Sequence, residues 1–164
     1  RGKAQSMKFL VLTVSHVRSQ SNGLSGGIQD YCQKINPMVK CEVQVLKGKR
    51  LEREQSQAKQ SLDSKQILSE IQPDDLVVVL DEGGIQLTSI EFSKYLQRFL
   101  GSSKKRVVWV VGGAYGTSEA LKARANYKLS LSKLTFNHHL ALSVLMEQIY
   151  RGMTILKNIP YHNE

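Results

Sequence analysis

Apolar positions along this chain alternate between two rhythms: short β-rich runs, and longer stretches in which apolar residues recur every three or four positions. Lys8 to Val14 (KFLVLTV) is a strand run that ends at Ser15, His16 and Arg18. Leu24, Ile28, Tyr31, Cys32 and Ile35 have helical spacing and predict a helix over Asn22 to Asn36, although Gly26 and Gly27 weaken its start by about 1 kcal/mol each. Pro37 breaks the pattern, and Lys40 to Leu46 (KCEVQVL) alternates strictly, as a half-covered strand does. A charged loop, Lys47 to Glu54, leads into a polar helix from Gln55 to Ile71, which Pro73 and Asp74 end.

The second half is more apolar. Asp75 to Leu80 reads as a strand buried on both faces, followed by a loop from Asp81 to Ile85. Thr88 and Glu91 form a capping-box pattern for a helix that Gly101 stops. Arg106 to Val111 is another fully apolar strand, running into Gly112, Gly113, Ala114, Tyr115 and Gly116, after which Thr117 or Ser118 caps a short helix through Arg124. Then come a hydroxyl-rich segment (Ser130, Ser132, Thr135), a turn bearing Asn137, His138 and His139, and a helix. Its stripe is Leu142, Leu145, Met146, Ile149, Met153 and Leu156, and Glu147, Gln148 and Arg151 lie outside it.

Strands alternating with helices predict an α/β domain with a largely parallel sheet. Ligands bind such sheets beyond the carboxyl ends of the strands, which singles out the loops after Val14, Leu80 and Val111. The last two are glycine-rich, and glycine lets a backbone approach a ligand closely. GGAYG has neither the GxGxxG spacing nor an acid about 20 residues on at a strand end, which disfavours a nicotinamide enzyme. Alone, it reads as a structural tight turn.

With 164 residues the chain fits one domain. Arg1 to Ser6 reads as a patternless remnant ahead of Met7, leaving residues 7–164 as a single domain. No apolar run approaches membrane-spanning length, so the expectation is a soluble, cytoplasmic protein. Cys32 and Cys41 lack metal-site spacing, and neither a metal nor a disulfide is expected. Charge adds a partner: Lys plus Arg number 23 against 14 acids, a net charge of +9, and the segment from Gly101 onward is strongly basic. A nucleic-acid backbone is the economical explanation, with a merely soluble basic surface as the alternative.

Five stretches taken in order, LDEGG, WVVGGAYG, LSLSKLTFNHH, LMEQIYRG and the terminal PYHNE, closely resemble the SPOUT-class methyltransferases that modify a pseudouridine at N3 in large-subunit ribosomal RNA. The resemblance implies a homodimer of small α/β subunits, each with a carboxyl-terminal trefoil knot that binds S-adenosylmethionine. By motif, the cofactor site maps to Leu80, Gly112 and the run Leu131, Ser132, Lys133, Leu134, Thr135, Phe136. The Tyr-His ending points to His162 as base or positioning group and Tyr161 as the residue orienting the target base, with Glu147 and Arg151 fixing tail or substrate. His138 also titrates in a useful range. The implied partner is large-subunit rRNA, in the assembled ribosome, gripped through Arg124, Lys128, Lys133 and His138.

The chain departs from the family pattern at Asn137, Leu142 and Asn163, where Pro, Arg and a basic residue are common. Two fewer positive groups leave the RNA backbone to Arg151, Lys133, Arg124 and Lys128. They also keep a second reading open, a non-catalytic RNA- or ribosome-binding module on a degenerate methyltransferase fold.

Overall fold

The computed structural model describes residues 7–16, 27–49 and 56–163. The segment from Arg1 to Ser6, the first part of the helix expected from Asn22, and most of the loop from Lys47 to Glu54 lie outside the described residues. The elements run β1 (Lys8–Ser15), α1 (Ile28–Ile35), β2 (Lys40–Lys47), α2 (Ser56–Ser69), β3 (Leu76–Gln86), α3 (Ser89–Leu100), β4 (Arg106–Val110), α4 (Glu119–Arg124), β5 (Tyr127–Ser130) and α5 (His138–Leu156). The five strands form one sheet in the order β2-β1-β4-β3-β5, with every pairing parallel.

Strand alternation explains the layers. Phe9, Val11, Val78, Val107 and Trp109 point to the face covered by α1, α3 and α5, while Leu10, Leu12, Val14, Val77, Val79, Val108 and Val110 point to the face carrying Ile67 of α2 and Leu121 of α4. Trp109 anchors the first layer, with Phe9, Phe92 and Phe99 around it at centroid distances of 5.5, 5.8 and 6.0 Å. At the amino ends of β3 and β4 the buried Asp75 takes Nε and Nη2 of Arg106 at 3.0 and 2.6 Å. Arg124 donates to the carbonyls of Gln72, Pro73 and Asp75 beside it. The capping box is formed as expected, with Glu91 N–H donating to Thr88 Oγ1 and Thr88 N–H donating to Glu91 Oε1.

Three expectations are corrected. The loop expected at Asp81 to Ile85 is a bulge inside β3: Leu80 and Ile85 both pair with Leu129, so the DEGG segment loops out and the strand resumes. The hydroxyl-rich segment begins as strand β5, whose four residues are too few to show a period. His138 and His139 form the first turn of α5, because Asn137 caps it by accepting from Leu140 N–H at 2.9 Å.

Gly84 closes the bulge against β5, and a Cβ there would lie 2.6 Å from the Lys128 carbonyl carbon and oxygen. Both are backbone atoms that cannot swing aside. Gly84→Ala is therefore expected to lower stability by about 1 to 3 kcal/mol in urea unfolding; a midpoint equal to wild type would mean that β5 yields freely.

Candidate active site

The carboxyl ends of β3, β4 and β5 border a cleft of about 620 Å³, a volume in the range of roughly 300 to 1,000 Å³ that small-molecule sites occupy. Leu80 and the Asp81–Glu82 bulge form one wall and Gly112 to Gly116 another. The third wall is the segment from Leu129 into α5, ending at His138 and Ala141. The glycine loop turns back on itself: Gly116 N–H donates to Gly113 carbonyl at 3.0 Å, and Gly116 has a φ of +79°, which a side chain would strain. At Gly112 a Cβ would sit 3.0 Å from Thr117 Cγ2 and 3.3 Å from the Gly116 carbonyl carbon, so glycine lets the loop fold closely on itself. Ser132 Oγ accepts from Leu134 N–H at 3.0 Å and shapes the third wall.

Of the residues expected to hold a cofactor, Leu80, Gly112, Leu131, Ser132, Leu134 and Phe136 line the cleft. Lys133 and Thr135 are exposed and are not among the lining residues. Lining groups that sequence reasoning missed include Gln60, Asp81, Glu82 and Lys122. The two acids stood in view in LDEGG; Gln60 and Lys122 come from separate helices, and no local pattern announces them. Among the expected RNA contacts, His138 is at the cleft, Lys128 is exposed on β5, and Arg124 is engaged with three carbonyls. Burial, followed by the neighbouring His139 and His16, holds the His138 imidazole below its ordinary range.

The four residues expected to be catalytic come together in a second cluster, away from this cleft. Glu147 Oε1 accepts from Arg151 Nε at 3.0 Å, Arg151 Nη2 at 2.6 Å and Tyr161 Oη at 3.0 Å. Arg151 Nη1 lies 3.1 Å from His162 Nδ1, and the guanidinium lies over the Tyr161 ring at 4.7 Å. Because arginine can only donate, Nδ1 is the acceptor and the neutral ring carries its proton on Nε2. Burial and the Glu147 bond push the Tyr161 phenol up to about 12, so its hydroxyl stays a donor. Glu147 is held in turn by Gln148, whose Oε1 accepts from Ser89 Oγ at the start of α3. Asn158 makes the reversal that lays the tail along α5. It adopts a φ of +56° just past the helix, and Ile159 N–H closes back on the Thr154 carbonyl at 2.9 Å. At 1.5 Å per residue, Glu147 and Arg151 sit roughly 9 and 15 Å along the helix axis from Ala141 at the cleft.

A cleft in the carboxyl-terminal loops of a parallel sheet, walled by the chain's last strand and helix, can be compared with known proteins. A family model described as "Predicted SPOUT methyltransferase" matches residues 7–162. This chain belongs to the SPOUT methyltransferase family. Similar curated proteins include Ribosomal RNA large subunit methyltransferase H of Bdellovibrio bacteriovorus, 45% identical over 81% of this chain and 85% of that protein. The protein of the same name from Bacteroides thetaiotaomicron is 40% identical over 96% of this chain and all of its own length. Two solved structures share the fold. A probable methyltransferase from Bordetella pertussis has a TM-score of 0.53 at 15% identity, covering 92% of this chain and 96% of its own. A probable methylase family protein from Haemophilus influenzae has a TM-score of 0.52 at 13% identity, covering 99% and 72%.

At the cleft, burial beside His139 and His16 lowers the His138 imidazole, and this fixes a sign. A histidine whose folded value is lowered takes up protons in the unfolded chain first, so stability falls as pH drops below the ordinary value of 6.5 towards the folded one. In an NMR titration the His138 imidazole is expected to turn over below 6.5, and His139→Gln is expected to move it upward. A midpoint at or above the ordinary value would contradict the desolvation argument.

Proposed function

We propose that this chain is an S-adenosylmethionine-dependent methyltransferase that methylates N3 of a pseudouridine in large-subunit ribosomal RNA, working in the cytoplasm as a homodimer. The observation that carries the proposal is the coincidence of the glycine-walled cleft with the motif-mapped run from Leu131 to Phe136. The residues present fit the cofactor. Asp81 and Glu82 offer negative charge to a sulfonium or to ribose hydroxyls, Lys122 offers positive charge to an amino-acid carboxylate, and the glycine loop offers backbone N–H and C=O groups to a planar base. When bound, S-adenosylmethionine supplies an electrophilic methyl group that needs no metal. An intact cleft of this kind argues against a degenerate binding module. The trefoil knot belongs to the same reading, with the third cleft wall and α5 as its threaded segment.

The protein's part is to align the attacking nitrogen and remove its proton. Tyr161, whose hydroxyl hydrogen is held by Glu147, orients the target base with its ring and its free oxygen lone pairs. Arg151 holds His162 Nδ1 in the docked tail; release of that bond lets the ring turn Nδ1 to the target and take the N3 proton there. Since the tail is docked well along α5 from its own cleft, we assign it to the cleft of the second copy. The target nucleotide is turned out of its RNA stack to reach the cofactor.

Methyl transfer to large-subunit particles, read by mass spectrometry of the nucleosides, is expected to yield methylated pseudouridine, and no added methyl group on any ribosomal substrate would sink the proposal. His162→Ala is expected to lower turnover about 10²-fold or more with cofactor affinity unchanged; a fully active variant would remove His162 from the chemistry. RNA binding through a handful of phosphate contacts is expected to weaken about 10- to 100-fold between roughly 50 and 200 mM salt, and a flat response would remove the backbone grip.

A further inference from the structure

Beside the glycine loop lies a cluster that the reaction as described does not use. His16, at the end of β1's carboxyl edge, donates Nε2–H to both oxygens of Asp63 at 3.0 and 2.9 Å. Asp63 is 2% exposed and comes from α2 on the sheet's second face. Gly48 lies so closely against the His16 ring that a side chain there would clash, which fixes the imidazole in place. The other face of this cluster is the loop itself. A Cβ on Gly113 would be 3.0 Å from the Val14 carbonyl oxygen and 3.4 Å from Asp63 Oδ2, so the carboxylate abuts the backbone of the cofactor wall.

Tyr115, in the middle of that loop, points away from the cleft and is gripped from three directions. Its ring packs edge-on to His16 at 5.5 Å. Lys59 Nζ donates to its hydroxyl at 3.3 Å and lies 5.0 Å from the ring centroid. Gln60 Nε2 donates to its carbonyl at 3.0 Å, and Gln60 itself lines the cleft. Ser64 Oγ accepts from Ser118 N–H at 2.9 Å, where the loop passes into α4. A loop rich in glycine has few side chains of its own to fix its shape, and these contacts from β1 and α2 supply that hold.

We infer that His16 and Asp63 are positioning residues for the cofactor: together with Lys59 and Gln60 they hold Tyr115, and thereby set the Gly112 to Gly116 wall in its binding shape. This rests on the proposed function for the identity of the ligand, but the grip itself concerns only the loop. A hydrogen bond from a packed imidazole to a buried carboxylate is suited to the task, because removing one partner leaves a buried acceptor or a donor uncompensated.

The test uses the full chain as His16→Ala, Asp63→Asn and Tyr115→Ala, with Tyr115→Phe as the conservative variant. Calorimetry with S-adenosylmethionine is expected to show Kd about tenfold or more weaker in the first three and about wild-type in Tyr115→Phe, which keeps the ring. In methyl transfer, KM for the cofactor is expected to rise while kcat at saturation and KM for RNA stay within about threefold. Amide exchange is expected to quicken at 113–118 and stay unchanged in β4. Cofactor affinity within twofold of wild type in both His16→Ala and Asp63→Asn would overturn the inference, as would exchange that quickens through β4 alike. If wild-type protein bound no S-adenosylmethionine, the proposed function would fail instead, and loop exchange in His16→Ala would still decide whether the grip exists.

Discussion

The burial of one helix stripe constrains both halves of the candidate site. Leu142, Leu145, Met146, Ile149 and Met153 of α5 are almost fully removed from water against α1, α3 and the sheet, each contributing about 1.5 to 3 kcal/mol of transfer free energy. Gly152 allows α3 to come close: a Cβ there would lie 2.6 Å from Leu96 Cδ1. With that seam formed, the helix cannot rotate or slide without exposing core. Its amino-terminal turn must then lie at the cleft and its carboxyl-terminal half must present Glu147 and Arg151 on the polar edge. The hydrophobic seam thus sets the spacing between a ligand-holding region and a tail-holding region.

The two regions differ in how their polar groups are organised. The cleft wall is largely backbone and small side chains, shaped by Gly112, Gly116 and a serine turn, and its charged groups come from the β3 bulge and α4. The tail region is a tight network in which one carboxylate oxygen of Glu147 accepts three donors and Arg151 bridges to His162. The hydrogen bond to Glu147 is the main influence raising the Arg151 guanidinium, which keeps it charged throughout the accessible pH range. Such a network orders a terminal segment that would otherwise fray. It also leaves His162 with a defined tautomer.

Much of this was legible in the chain. The continuous apolar runs at Leu76 and Arg106 became adjacent central strands, the Thr88–Glu91 box formed as read, and the stripe on α5 was buried as its spacing implied. Leu142, where an arginine is common in the family pattern, is simply core at 2% exposure. What was not legible depends on contacts distant in sequence. Leu80 and Ile85 share one partner only because Leu129 lies beside them, so the bulge looked like an ordinary loop. Asn158 and Pro160 carried a helix-reversal signal that went unread, and it is this reversal that returns Tyr161 to α5. The His16–Asp63 pair joins residues 47 apart through the sheet's second face, where no spacing rule reaches.

In the proposed dimer the labour is divided between copies: each cleft would hold the methyl donor, and the tail that orients and deprotonates the target would come from the other chain. The most direct measurement mixes two inactive chains after unfolding and refolding together, one with a blocked cleft (Gly112→Trp) and an intact tail, the other with an intact cleft and His162→Ala. Methyl transfer restored to about one quarter of the wild-type site activity is the predicted result, since half of the dimers are mixed and each has one complete site. A mixture as inactive as its two components would contradict the account.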